Sequence, residues 1–135
     1  MPHRARQQAE LFVDRSLGKS IVEGLRAVGL TVHSMADVYG EQPGQLLADE
    51  VWLRDAGQND WIVLTKDDAI RRRPAERDAL TEAAVRVFCL TNRHLRGVEQ
   101  TERFVSNRHR ILRQARKPGP YIYGVYEQGL KRLWP

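Results

Sequence analysis

Apolar residues in this chain fall into two patterns. Short runs such as Leu11-Phe12-Val13, Trp61-Ile62-Val63-Leu64 and Val85 to Leu90 alternate with longer stretches in which apolar positions recur every three or four residues. Runs of the first kind, bounded by polar residues, read as strands buried on both faces of a parallel sheet, and stretches of the second kind as helices. Residues 10–14 form a first strand. Ser16 is placed to cap a helix through about Val28, with Leu17, Ile21, Leu25 and Val28 at helical spacing and Gly29 as its stop. Residues 30–34 make a second strand, and Gly40, Pro43 and Gly44 mark residues 37–44 as a loop. A helix from about Asp49 to Ala56, closed by Gly57, leads into a strand at Trp61–Thr65. Pro74 suits the first turn of a helix reaching Ala84, before a strand at 85–90. The spacing predicts a long helix over 98–115, with Val98, Val105 and Leu112 a heptad apart and Phe104 and Ile111 beside them. Pro118-Gly119-Pro120 ends it, Tyr121–Tyr126 is a fifth strand, and 130–135 a tail. The alternation predicts one α/β domain over residues 1–135, with a mostly parallel sheet of about five strands.

Two of these strands run directly into aspartate. Asp14 follows the first, and Thr65-Lys66-Asp67-Asp68 closes the third. In open α/β sheets the site lies outside the carboxyl ends of the strands, so these acids are expected to converge on one edge. Like charges packed together cost energy unless a cation or a shared proton relieves them. A hard-cation site follows, and without its cation the cluster should be strained, so that removing one charge leaves stability unchanged or raises it. Asp49-Glu50, opening the helix before the third strand, belongs to the same edge by position. Each acid also has an ordinary use: Asp14 as a cap or turn residue, Asp67-Asp68 as turn and first-turn residues, Asp49-Glu50 as a helix start. Asp55 lies further along its helix and Asp60 at the opposite edge of the sheet. Arg71-Arg72-Arg73 follows the aspartate pair, where guanidinium donors could contact a metal-bound phosphodiester or simply face solvent.

Other chemistries find less support. Ser16 lacks a Gly-x-Ser-x-Gly setting, and the four histidines are scattered, with His33 at a strand end read as structural. Leu17-Gly18-Lys19-Ser20 lacks the spacing of a phosphate-binding loop. Cys89 is alone in an apolar run, which rules out a disulfide framework and a cysteine-based zinc site.

Charge changes the picture more than composition does. Hydrophobic content of 41% and charged content of 29% are ordinary for a globular chain. The net charge of +5, however, is concentrated: residues 93–117 hold eight Lys/Arg against Glu99 and Glu102, leaving the rest of the chain slightly negative. An acidic edge joined to a basic arm suits a polyanion handled through a metal, although such a run also serves as a solvated helix face. Arg103, Arg110 and Lys117 lie a heptad apart, with Arg113 close to that stripe. No apolar stretch approaches the ~20 residues needed to span a bilayer. The polar start, Met1 to Gln8, lacks the apolar core of a signal peptide, so the cytoplasm is the expected location.

Phe12-Val13-Asp14-Arg15-Ser16-Leu17-Gly18, the helix end Ala27-Val28-Gly29-Leu30, Asp49-Glu50 and Val63-Leu64-Thr65-Lys66-Asp67-Asp68 together resemble the PIN-like nucleases. They look most like the compact branch that supplies VapC-type toxins of bacterial toxin–antitoxin pairs. The resemblance is good over residues 10–70 and less specific after Arg93. It implies a three-layer α/β/α fold and Mg²⁺- or Mn²⁺-dependent cleavage of RNA, with Asp14, Asp49 and Asp67 as metal-site carboxylates and Asp68 a further catalytic candidate. Members of the wider family carry another acid after the fourth strand, where this chain has Thr91-Asn92-Arg93. A fourth carboxylate is then either missing or supplied by Glu50 or Asp68. RNA contacts fall to Arg71, Arg72, Arg103, Arg110, Arg113 and Lys117. A cognate antitoxin protein is the implied partner, and a homodimer is compatible with the pattern. Two other readings compete: a receiver-like phosphoacceptor, which would want a second acid beside Asp14 and a lysine after the last strand, and a degenerate PIN-like module that binds without cutting.

Overall fold

The structure is a computed structural model that describes residues 8–135. The polar stretch from Met1 to Gln7 lies outside the described residues. Six strands form one sheet: β1 (Glu10–Val13), β2 (Thr31–Ser34), β3 (Ile62–Thr65), β4 (Arg86–Leu90), β5 (Tyr121–Tyr126) and β6 (Gly129–Trp134), in the spatial order β2-β1-β3-β4-β5-β6. The first five are mutually parallel, and β6 folds back antiparallel on β5. The helices are α1 (Lys19–Ala27), α2 (Met35–Tyr39), α3 (Glu41–Leu46), α4 (Asp49–Gln58), α5 (Pro74–Glu82), α6 (Gly97–Ser106) and α7 (Arg108–Gln114), with a 3-10 turn at Asp68–Arg72.

The period-two alternation of the strands sorts their side chains into two cores. Leu11, Val13, Ile62, Leu64, Phe88 and Leu90 meet Ile21 and Leu25 of α1, Phe104 of α6 and Ile111 of α7. Phe12, Val63, Val87 and Cys89 point the other way, onto Trp52, Leu53 and Ala56 of α4 and Ala79 and Leu80 of α5. This is a three-layer α/β/α fold. Each fully buried large side chain contributes about 1.5–3 kcal/mol. Phe12 anchors the second core, its ring 5.5 Å from that of Trp52 and 5.4 Å from that of Trp61, and Phe12→Ala is expected to cost about 3–5 kcal/mol.

The strand order fixes where a ligand is received. The chain lays β2 on one side of β1 and then crosses over to place β3 on the other. The carboxyl ends of β1 and β3 therefore flank a topological switch point, the crevice where open α/β sheets bind ligands.

Several local expectations are corrected. Residues 37–44 are not a loop: Gly40, with φ of 95°, ends α2 and opens α3, and the Ser34 hydroxyl caps α2 by accepting from the Asp37 N–H. Gly57 does not close α4, which runs on to Gln58. A Cβ at Gly57 would stand 2.3 Å from the Ala83 carbonyl, so this glycine is the price of bringing α4 against the end of α5. Gly29, by contrast, has φ of 87° and stops α1 as expected. The helix expected over 98–115 is two helices, broken at Asn107, whose buried amide donates to the carbonyls of Arg103 (2.9 Å) and Tyr126 (2.8 Å). The buried stripe lies one residue from the expected one, on Gln100, Phe104, Asn107 and Ile111; Val98 is 75% exposed, while Val105 and Leu112 are partly buried. The tail after Leu130 belongs to the sixth strand.

Candidate functional site

Asp14 stands at the end of β1, only 4% exposed, and its backbone N–H donates to the Leu64 carbonyl of β3 at 3.3 Å. Ser16 does not cap α1, which starts after Gly18 without a side-chain cap. Its hydroxyl donates to Asp14 Oδ1 at 2.5 Å and accepts from the Lys66 N–H at 3.1 Å. Thr65 mirrors it, donating to Asp14 Oδ2 at 3.0 Å and accepting from the Asp67 N–H at 3.0 Å. Each hydroxyl spends its single proton on the carboxylate and takes a backbone N–H in return. The Ser16 N–H adds a third donor at 3.2 Å. The two strand ends are thereby latched together with the Asp14 carboxylate in one orientation. Burial pushes that carboxyl up to about 6, only partly offset by the bonds from Ser16 and Thr65, and the nearby Asp49 charge raises it further.

Asp49 and Asp67 meet beside this latch, joined by Glu76. One carboxylate oxygen from each of the three lies within 4.8 Å of the other two. Asp49 opens α4 as its first residue, with Ala48 in the cap position, so its side chain is not consumed in capping and instead accepts from Trp52 Nε1 at 2.9 Å. Asp67 caps the 3-10 turn by accepting from the Ala69 N–H at 3.2 Å, so its ordinary use is real as well. Glu76 sits in the first turn of α5, its carboxyl raised by burial and by the charges of Asp49 and Asp67, and lowered by a bond from Arg73. Helix N-termini favour the negative charges of both Asp49 and Glu76.

Among the described residues, no histidine or cysteine joins this group. Three half-buried carboxylates are a hard oxygen donor set, suited to Mg²⁺-like cations with oxygen ligands at about 2.1 Å and unsuited to a sulfur- or nitrogen-preferring metal. The donor chemistry fits a hard divalent cation.

The remaining expected residues are placed differently. Asp68 lies between two guanidinium groups, Arg72 and Arg93, each at 3.9 Å. The position after β4 thus delivers an arginine to the edge, toward Asp68. Glu50, half-buried in the first turn of α4, is not part of the carboxylate group. Arg71 is half-buried and Arg72 exposed beside the edge. Along the basic arm, Arg110, Arg113 and Lys117 line one open groove of about 340 Å³ with Tyr123 and Leu130, and Arg103 faces a second groove shared with Glu99, Glu102 and the same Arg110. His33 bonds Glu10 at 2.6 Å and stacks on Trp61, a structural use.

Glu76 is the residue that sequence reasoning missed as a member of the site, and Arg73, expected with Arg71 and Arg72 near a phosphodiester or in solvent, is bound to the carboxylates themselves. A signal for Glu76 existed. In parallel α/β units the connecting helices run back against the strands, so their first turns lie at the carboxyl edge. Pro74 marked such a first turn, and Glu76 falls inside it.

The family model described as PIN like domain matches residues 9–92, a span from β1 to the loop after β4 that holds Asp14, Asp49, Asp67 and Glu76. The chain is 33% identical over 124 residues to a protein of Mycobacterium tuberculosis named "Putative ribonuclease VapC45", with 91% of this chain and 90% of that one covered. No solved structure matches the chain. With the fold, the acidic switch point and both matches in agreement, the chain belongs to the PIN-like domain family.

Proposed function

We propose that this chain is a ribonuclease dependent on Mg²⁺ or Mn²⁺ and acts as the toxin of a toxin–antitoxin pair. The observation that carries the reading is the gathering of Asp14, Asp49, Asp67 and Glu76 at the β1/β3 switch point. The similarity to a relative named as a ribonuclease supports the same substrate class. Asp14, Asp49 and Asp67 are the metal-site carboxylates, and Glu76 is added to them as an oxygen ligand because it joins Asp49 and Asp67 in one group. When bound, the cation supplies an acidified water and offsets charge developing on the phosphate oxygens.

The chain's own residues do the rest. Ser16 and Thr65 hold the Asp14 carboxylate still, so that no reorientation is needed when substrate arrives. Arg71 and Arg72, beside the carboxylates, draw the phosphodiester toward the edge, with Asp68 and Glu50 as peripheral acids. Arg103, Arg110, Arg113 and Lys117 hold the RNA backbone, and such phosphate contacts position the strand without reading its sequence. Specificity then rests on RNA shape and unpaired bases. A cognate antitoxin protein is the partner, the cytoplasm the working compartment and 1–135 the catalytic domain; a homodimer is compatible with this reading. No helix among the described residues is long and apolar enough to cross a membrane.

The test is RNA cleavage by the purified chain. Single-stranded RNA should be cut with Mg²⁺ or Mn²⁺ and left intact once the metal is chelated. Cleavage that persists in excess chelator would overturn the metal dependence, and no cleavage with either metal would favour the binding-only module.

A further inference from the structure

The three carboxylates of the candidate metal site already share a cation. Arg73, the residue preceding Pro74 at the start of α5, reaches into the group. Its Nη1 lies 2.7 Å from Asp67 Oδ2, 2.9 Å from Glu76 Oε1 and 3.8 Å from Asp49 Oδ2, and its Nη2 lies 3.3 Å from Asp67 Oδ1. One guanidinium nitrogen is therefore within ion-pair distance of the same three residues whose oxygens would ligate a metal. A divalent cation drawn in among these three carboxylates would lie close to this nitrogen, and two positive charges that near repel, so the cation and the guanidinium compete for the group.

The guanidinium is held by nothing else. Among the described residues its hydrogen bonds go only to Asp67 and Glu76, and its side chain is 45% exposed, at the open side of the group. Arginine stays charged at every physiological pH, so the guanidinium does not leave by losing its proton, whereas a competing cation can displace it. Swung outward on its flexible stem, it would remain beside the metal, where a bidentate contact to a phosphate is favourable.

We propose that Arg73 is a displaceable internal cation: it holds Asp49, Asp67 and Glu76 together in the metal-free protein, is turned out when a divalent cation enters, and is thereby delivered to the substrate phosphate. This rests on the metal-nuclease reading above. It makes metal loading and RNA binding partly interdependent, through one residue.

The sign of a substitution separates this role from a supporting one. A residue that merely props up a metal site weakens metal binding when removed, whereas a competitor strengthens it. Mn²⁺ binding, followed by the loss of free-ion paramagnetic resonance signal, should be measured for the wild-type chain, Arg73→Gln and Asp67→Asn. Arg73→Gln should bind Mn²⁺ up to about fivefold more tightly than wild type, the size expected for release of one partly exposed ion-pair partner. Its affinity for uncleaved RNA in the presence of metal should fall. Arg73→Lys, which keeps the charge but loses the planar fork, should lie between the two and serves if Arg73→Gln fails to fold. Unchanged or weaker Mn²⁺ binding by folded Arg73→Gln, or by Arg73→Lys in its place, would overturn the proposal, and unchanged RNA affinity would overturn the delivery step. If wild type binds Mn²⁺ and Asp67→Asn does not, the metal site stands whatever Arg73 does. If wild type binds none, the metal reading falls and this proposal falls with it.

Discussion

Asp14 and Asp67 stand at neighbouring strand ends, at the same edge of the sheet, yet their charges are handled by opposite means. Asp14 is buried and receives only neutral donors, two hydroxyls and a backbone N–H. Asp67 is partly exposed and grips a full positive charge on Arg73. Burial lifts the Asp14 carboxyl to about 6, while the Arg73 guanidinium is held charged first by Asp67 and then by Glu76. Neutral donors fix a carboxylate's orientation without cancelling its charge. The uncancelled charge at Asp14 is what an incoming cation would relieve, whereas the charge at Asp67 is already relieved and must be contested.

The sharpest way to break this comparison is to neutralise the contested side. Asp67→Asn keeps the shape but removes a ligand oxygen's charge, and RNA cleavage should drop by about two to three orders of magnitude. Glu76→Gln should lower it by about tenfold or more. Full activity in Glu76→Gln would return that residue to the role of an Arg73 partner.

The buried side is tested by pH. The Asp14 carboxyl is raised in the folded chain, from 3.8 to about 6. Between those values the folded state keeps a proton that the unfolded state has lost, so the stabilisation present below pH 4 is lost as pH rises through 6. The metal-free protein should therefore lose on the order of 3 kcal/mol from this group across that window. Denaturant melts of Asp14→Asn at pH 4 and pH 7 should lack this component, and an identical pH dependence in the variant would show that Asp14 is not the group responsible.

A smaller effect concerns metal-free stability at Asp67. From the acids alone, removing one charge should stabilise the cluster. Arg73 reverses that expectation, since Asp67→Asn strips the guanidinium of its two-point partner, and a loss of about 1 kcal/mol is expected for a pair this exposed. In an Arg73→Gln background the same substitution should become neutral or stabilising. A double-mutant cycle showing no such change of sign would mean that the two side chains do not interact.

The smallest effect lies on the arm. Reversing Arg110 and Arg113 to Glu should weaken RNA binding and flatten its salt dependence by roughly 0.7 per lost phosphate contact, with single-turnover cleavage at saturating RNA retained. Wild-type affinity and slope in that variant would assign the groove to solvent or to a protein partner.

The course of the chain was legible wherever a short-range pattern decides the outcome. Apolar runs ending in polar residues located β1, β3, β4 and β5, and the carboxyl-edge rule gathered Asp14, Asp67 and Asp68 with Asp49 and Glu50 beside them, of which Asp68 turns to Arg72 and Arg93 and Glu50 stays outside the carboxylate group. What escaped depends on contacts distant in sequence. Asn107 breaks a helix because its amide finds the Tyr126 carbonyl nineteen residues away. Gly57 reads as a helix stop, but it serves the approach of Ala83. Gly40, Pro43 and Gly44 read as a loop, although Gly40 simply turns the chain between two short helices. Arg73 read as one of a run facing either a phosphodiester or solvent and Glu76 carried no reading, and it is the packing of α5 beside α4 that joins both to the carboxylates.

The most direct test of the central claim, that the strand-end carboxylates form a metal-dependent nuclease centre, is RNA cleavage by Asp14→Asn. The variant removes a single charge from a buried, hydroxyl-latched position far from the basic arm in sequence. With folding verified and Mn²⁺ in excess, its cleavage rate should fall at least a hundredfold below wild type while RNA binding is retained, an effect on the order of the loss of one charge-stabilising group. Cleavage at the wild-type rate would contradict the account.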